Sequence, residues 1–180
     1  MANSVARFDI HEVALDDLAN LVSKIVEIEG PVHQDVIVAR VVKLWNVGRT
    51  GSRIREALSR AIQQACNIGT IRESQGDGDQ FYVASDFTQT NEFRDRSDVE
   101  LPLIRKHDYL PLGELGAGVA VIVQEGISVS RDECVKVLGN RLGFNRLTPG
   151  LTERLNQAIE EKLSRGAIEE LRGKLRIRLD

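Results

Sequence analysis

The chain has 180 residues, 42% of them apolar, and a formal charge of −3 at pH 7. That length holds one sizeable core or two small ones, and that apolar share excludes a chain disordered throughout. So small a net charge excludes attraction of a polyanion by the chain as a whole, so any nucleic-acid site has to come from uneven placement of charge.

The N-terminal Met1-Ala2-Asn3-Ser4, followed by Arg7, Asp9 and Glu12, lacks a basic region leading into an apolar one and lacks a small-residue cleavage site. It predicts a cytoplasmic protein, and it equally suits a domain cut from a longer one. Apolar runs such as Val119 to Val123 fall far short of the about 20 residues a membrane span needs, so no membrane partner is expected.

The first element is a helix from Leu15 to Glu29, because Leu18, Val22, Ile25 and Val26 recur at helical spacing. Gly30-Pro31-Val32 is a short extended stretch leading to a second helix. A turn at Asn46-Val47-Gly48-Arg49-Thr50-Gly51 feeds a third helix over 52–66, closed by Gly69 where a left-handed residue suits a helix end. Two short strands follow around Gly76-Asp77-Gly78, a hairpin made acidic by Asp77 and Asp79. Residues 86–108, with Arg94-Asp95-Arg96-Ser97-Asp98 and the apolar Leu101, Leu103 and Ile104, read as an ordered segment packed between two units.

From residue 109 the same succession returns. At an offset of 97, residues 15–73 align without gaps on 112–170, with 16 identities in 59 positions, among them Leu18/Leu115, Ile25/Ile122, Leu58/Leu155 and Gly69/Gly166. Many other pairs exchange one apolar residue for another, as Trp45/Leu142 does, which places Trp45 in a core. The later copy predicts a helix over 112–124 and a second helix opened by the capping box Ser130-Arg131-Asp132-Glu133. Its third helix covers 149–165 behind the cap Thr148-Pro149, and strands follow around Gly173. Helix, short strand, helix, turn, helix, hairpin is the winged-helix order. The fold class is therefore α+β, mostly helical, with two tandem winged-helix units over 1–85 and 109–180.

A helix-turn-helix lays its second helix in the major groove while a wing touches nearby phosphates. On a wheel, Ile54, Leu58, Ala61, Ile62 and Ala65 form an apolar stripe, leaving Ser52, Arg53, Glu56, Ser59, Arg60 and Gln63 outward. Between Arg40 and Arg60 six basic residues, with Lys43, Arg49 and Arg55 among them, face the single acid Glu56. This is the best phosphate-binding patch in the chain. The third helix of the later copy carries Glu153, Asn156, Gln157 and Glu160 and is a poor reader of DNA. Its wing alternates Arg172, Lys174, Arg176 and Arg178 with apolar residues and Gly173, so four cations are expected on one solvent face. The nucleic-acid-binding candidates are accordingly Arg49, Ser52, Arg53, Arg55, Ser59, Arg60, Arg172, Lys174, Arg176 and Arg178.

Plainer roles compete for several of these residues. Arg49 and Glu56 recur as Arg146 and Glu153, which suits an arginine pinned by a carboxylate to order the turn. Arg53 and Arg60 have no such counterparts. Cys66 and Cys134 align with Leu163 and Ile37 and read as buried, inert thiols. His11, His33 and His107 stand singly, without the carboxylate or Cys pattern of a zinc or nucleophile site. Gly113, Gly116 and Gly118 fall on a helix, with no preceding strand and no Gly-Lys-Ser/Thr, so no nucleotide loop is expected there. No catalytic residue, metal or cofactor is expected.

The run Ile25-Val26-Glu27-Ile28-Glu29-Gly30-Pro31-Val32-His33 resembles the opening of an uncharacterised domain found near the C-terminus of large bacterial superfamily-one helicase-related proteins. Leu138 to Arg146 and the Arg94-Asp95-Arg96 segment are also similar to that family. The resemblance implies a non-catalytic accessory module with helicase or nuclease domains upstream in a larger protein. It implies no activity for this chain, in which no Walker or metal motif is matched, and it identifies no binding residue. Two functions remain open at this point, a DNA-binding module for duplex or branched DNA and a protein-docking or dimerisation module built on winged helices.

Overall fold

Apolar spacing, caps and glycines determine where each helix starts and stops. In the computed structural model, which describes residues 9–88, 92–96, 106–126 and 128–178, α1 (Leu15–Glu29) buries Leu18, Ala19, Val22, Ile25 and Val26 along one stripe. The chain leaves α1 so tightly that a Cβ on Gly30 would stand 2.6 Å from the Val26 carbonyl oxygen. The Gly30–Pro31 bond is cis, and β1 (Val32–His33) follows at once. His33 then caps α2 (Gln34–Leu44), its Nδ1 accepting the Asp35 N–H at 3.1 Å. Its ring stands edge-on to Phe81, with centroids 5.2 Å apart. The Glu-Gly-Pro-Val-His run is thus the joint of the first unit, and Glu29 reinforces it with an ion pair to Arg40 on α2 at 2.7 Å.

α3 (Ser52–Asn67) packs along α1 and buries Ala57, Leu58, Ala61, Ile62 and Ala65. Gly69, at φ 76°, ends it. β2 (Ile71–Glu73) and β3 (Phe81–Ala84) complete an antiparallel sheet of order β1-β3-β2, with Val32 opposite Tyr82 and Ile71 opposite Ala84. Asp77 does not make this hairpin acidic. It is 3% exposed and accepts the Ser74 hydroxyl, because the connecting loop folds the carboxylate inward to close itself. Asp79 alone of the two is outward.

The second unit repeats the plan. α4 (Leu112–Gly126), α5 (Arg131–Arg141) and α6 (Pro149–Ser164) precede β4 (Ile168–Leu171) and β5 (Lys174–Ile177). A 3-10 turn precedes each set, Ile10–Glu12 packed on α3 and His107–Tyr109 packed on α6. Adding 97 to the bounds of the first 3-10 turn and of α1, α2 and α3 reproduces those of the second 3-10 turn and of α4, α5 and α6. Val129 bridges to Leu175 at the place β1 holds in the first unit. The capping box on α5 and the Thr148-Pro149 start of α6 are formed as the sequence predicts. Correspondence stops at the hairpin tips. Residues 74–80 join β2 to β3, whereas the two residues Arg172 and Gly173, both at positive φ, join β4 to β5.

The chain divides into two compact units, Met1–Phe87 and Thr88–Asp180. Of the 86–108 segment, the described residues from Thr88 on group with the second unit. Glu114, 3% exposed in its side chain, accepts Arg96 Nη2 at 2.6 Å and Arg96 Nε at 2.9 Å, and also pairs with Arg94. The Arg96 N–H donates to the Arg141 carbonyl at 3.0 Å. Phe93 lies against Gly118 and packs on a core that includes Leu115, Val119, Leu138 and Leu155. Mutual neutralisation lets Arg96 and Glu114 be buried together as a seam, with Arg94 at its edge. Leu101, Leu103 and Ile104 lie outside the described residues. Cys134 is fully buried, and burial pushes its thiol up to about 11. Cys66, in the last turn of α3, is only half-buried, and burial still pushes its thiol up.

Candidate nucleic-acid interface

The polar face of α3 is outward as its spacing requires. Ser52, Arg53, Arg55, Glu56, Ser59, Arg60 and Gln63 are all exposed. The cations nearby divide into engaged and free groups. Arg40 is held by Glu29, and Arg55 reaches Asp35 at 3.7 Å. Lys43, Arg49, Arg53 and Arg60 form no ion pair among the described residues. The expected pin between Arg49 and Glu56 is therefore not made, and neither is its counterpart between Arg146 and Glu153. All four side chains are exposed, where the attraction gained in water does not repay holding two long side chains still.

Arg49 and Arg53 instead line an open cleft of about 620 Å³. Its other walls are Asp9, Ile10, His11 and Glu12 of the 3-10 turn, Trp45 and Val47 after α2, and Gly51, Ser52 and Ile54 at the start of α3. Trp45 is half-buried here and not a core residue, whereas its equivalent Leu142 is fully buried. His11, expected to stand alone, has Asp9 and Glu12 beside it, with one ligand atom of each within 4.8 Å of the others and all three residues exposed. Gly51 gives α3 no side-chain cap, and the first turn holds no acid, so its first N–H groups keep no side-chain acceptor.

The second unit differs in charge and in filling. α6 is capped by the Thr148 hydroxyl, which accepts the Leu151 N–H at 3.3 Å. Its Glu153 and Gln157 are outward, but Glu160 is engaged by Arg131 of α5, which also holds Glu170 of β4 at 2.7 Å. These hydrogen bonds, to Glu170 first and Glu160 second, hold the Arg131 guanidinium above its ordinary range, and the one at Glu170 holds that carboxyl below its own. The basic hairpin is less free than its alternation predicts. Lys174 pairs with Glu133 at 3.3 Å, and Arg176 stands across the ladder from Glu169 with its Nε buried. Arg172 occupies the turn itself, so the alternation starts after it. Arg172 and Arg178 are the exposed cations of this hairpin.

The ten predicted residues thus divide between the two units. Arg49, Ser52, Arg53, Arg55, Ser59 and Arg60 share the α3 side of the first unit, and Arg172, Lys174, Arg176 and Arg178 lie on the last hairpin of the second. Asp9, His11, Glu12 and Trp45 were not among them. The duplication itself carries the signal that singles out the cleft, since Trp45 aligns with Leu142 and Arg53 with Gly150.

A family model described as Protein of unknown function (DUF3320) matches residues 9–56. The matched segment runs from the 3-10 turn into the first turns of α3, and it contains the Glu29 to His33 joint and every wall of the cleft. The Arg94-Asp95-Arg96 segment and the Leu138 to Arg146 run lie outside it. No curated protein and no solved structure matches the chain. No helix among the described residues is long and apolar enough to cross a membrane.

Proposed function

We propose that the chain is a non-catalytic accessory module of two winged-helix units that binds duplex or branched DNA and accompanies a helicase. The observation that carries this reading is the outward face of α3, where Arg53 and Arg60, with Arg49 at its foot, form no ion pair among the described residues. The order helix, strand, helix, helix, strand, strand around an antiparallel sheet supports the winged-helix assignment, in which α3 is the reading helix. Helicase association rests on the resemblance of the Gly30-Pro31-Val32-His33 joint.

Fluorescence anisotropy of labelled duplex, forked and single-stranded DNA at about 50 and about 200 mM salt tests the reading. If Arg49, Arg53, Arg55 and Arg60 each meet one phosphate, affinity falls by about 150-fold across that range, from a slope of about 0.9 per phosphate. Reversing Arg53 and Arg60 together to Glu abolishes binding while leaving the melting temperature nearly unchanged. Unaltered affinity in that variant refutes the assignment. A second reading, protein docking or dimerisation, draws on the outward Glu153 and on exposed apolar side chains such as Ile28, 80% exposed. Light scattering that finds a tight dimer, with no DNA binding at low salt, selects it.

A further inference from the structure

The cleft beside α3 is not needed by the fold. In the second unit the equivalent place is packed, since Leu142 is fully buried where Trp45 is half-buried. Gly150, standing for Arg53, lies so close under the His107 ring that a Cβ there would be 2.7 Å from Nε2. The same backbone plan therefore closes over this spot with a leucine, a glycine and a histidine. The first unit spends its one tryptophan there and leaves about 620 Å³ open. That volume is within the range of small-ligand sites, about 300–1,000 Å³.

The lining has three kinds of chemistry in one place. Trp45, Val47 and Ile54 offer an apolar wall with a flat aromatic surface. Arg49 and Arg53 offer two guanidinium groups without ion-pair partners among the described residues, at the start of a helix whose first N–H groups have no side-chain cap. Asp9 and Glu12 offer carboxylates that accept from amino groups. A ligand that uses all three has a planar ring bearing amino groups, joined to a phosphate.

We propose that this cleft binds a single unpaired nucleotide, its base stacked on Trp45 and its phosphate held by Arg49 and Arg53. Asp9 and Glu12 then meet the exocyclic amino groups of the base. The inference rests on the nucleic-acid reading above and extends it, because duplex contact by the α3 face needs no aromatic surface. The nucleotide is either the unpaired end of a DNA strand whose duplex lies on α3 or a free mononucleotide.

Trp45 is the single tryptophan of the chain, so its emission reports on the cleft alone. The full chain is titrated with adenosine monophosphate, adenosine, inorganic phosphate, blunt duplex and the same duplex bearing a short single-stranded overhang. Saturable quenching by the overhang duplex at lower concentration than by the blunt one identifies a strand end. Quenching by the mononucleotide, without preference between the duplexes, identifies a free nucleotide. Followed by anisotropy of a labelled overhang duplex and of a labelled mononucleotide, Trp45→Leu, the residue the second unit carries, lowers affinity by roughly 5- to 150-fold, the range for loss of one base–aromatic stack. Anisotropy shows blunt-duplex affinity unchanged in that variant, and Trp45→Phe keeps the overhang or mononucleotide preference. The proposal is overturned if neither nucleotide nor overhang duplex quenches, if phosphate binds as tightly as the mononucleotide, or if Trp45→Leu leaves the preference intact. Because blunt-duplex binding is measured separately, loss of the cleft and loss of the α3 reading are distinguishable.

Discussion

Glu114→Gln tests the seam that ties the 92–96 segment to α4. The carboxylate is 3% exposed, and the Arg96 side chain that holds it at 2.6 and 2.9 Å is 11% exposed. Removing one partner of a buried pair costs about 3–5 kcal/mol, because the other charge stays buried without compensation. Arg94, 37% exposed in its side chain, turns to water once released, so Arg96 alone carries the penalty and the lower end applies. A loss of about 3 kcal/mol lowers the melting temperature of a unit of this size by roughly 12–24 °C, at about 4–8 °C per kcal/mol. Urea and thermal unfolding followed by far-UV circular dichroism measure it. Adding Arg96→Met to Glu114→Gln recovers more than about 1 kcal/mol relative to the sum of the two single changes, since no buried charge is then left alone. A loss under about 0.5 kcal/mol, or additive single changes, refutes the argument that these charges form one buried unit.

Two glycines on α4 give opposite signs. A Cβ on Gly118 would stand 2.6 Å from Leu138 Cδ1 and 2.7 Å from Phe93 Cδ2, so Gly118→Ala overpacks the core and destabilises by about 1–3 kcal/mol. On Gly116 it would meet the movable end of Lys162 at 2.5 Å, so Gly116→Ala is neutral or stabilises by up to about 1 kcal/mol in the same unfolding assay. The capping box on α5 gives a pH dependence. Hydrogen bonds from Ser130, then the Lys174 ammonium, hold the Glu133 carboxyl down at about 2 against an ordinary 4.5. A folded pKa below the unfolded one contributes stability above about 4.5 that is lost as pH falls towards about 2, and Glu133→Gln flattens that part of the stability profile.

Sequence pattern carried the helices well because periodicity, caps and terminal glycines agree at each end, as Thr148-Pro149 and Gly166 do around α6. Where pattern failed, a local rule met a distant partner. Arg94, Arg96 and Glu114 look like separate surface charges until folding sets residues 18 and 20 positions apart against each other. Asp77 reads as a solvated loop acid because nothing in its spacing reveals that Ser74 draws it inward. The 3-10 turns are illegible in the sequence because three residues are too short to show a period, yet Ile10 is 1% exposed and anchors one wall of the cleft. Apolar character alone places Trp45 in the core, a position that the second unit's Leu142 holds and the tryptophan does not. The α3 face was legible from the wheel, whereas its division into paired and unpaired cations depended on Glu29 and Asp35 from other elements.

The unequal hairpin tips show where this scaffold tolerates change. Every helix in one unit has a partner of the same length in the other, so one lost or added residue in a helix would rotate its buried stripe out of the core. Lengthening a two-residue tip to the span of residues 74–80 costs only about 1 kcal/mol of closure entropy and disturbs no buried stripe. The tip beyond β4 is therefore where added sequence, such as an affinity peptide or a reporter, can be carried with the packing of both units left as it is.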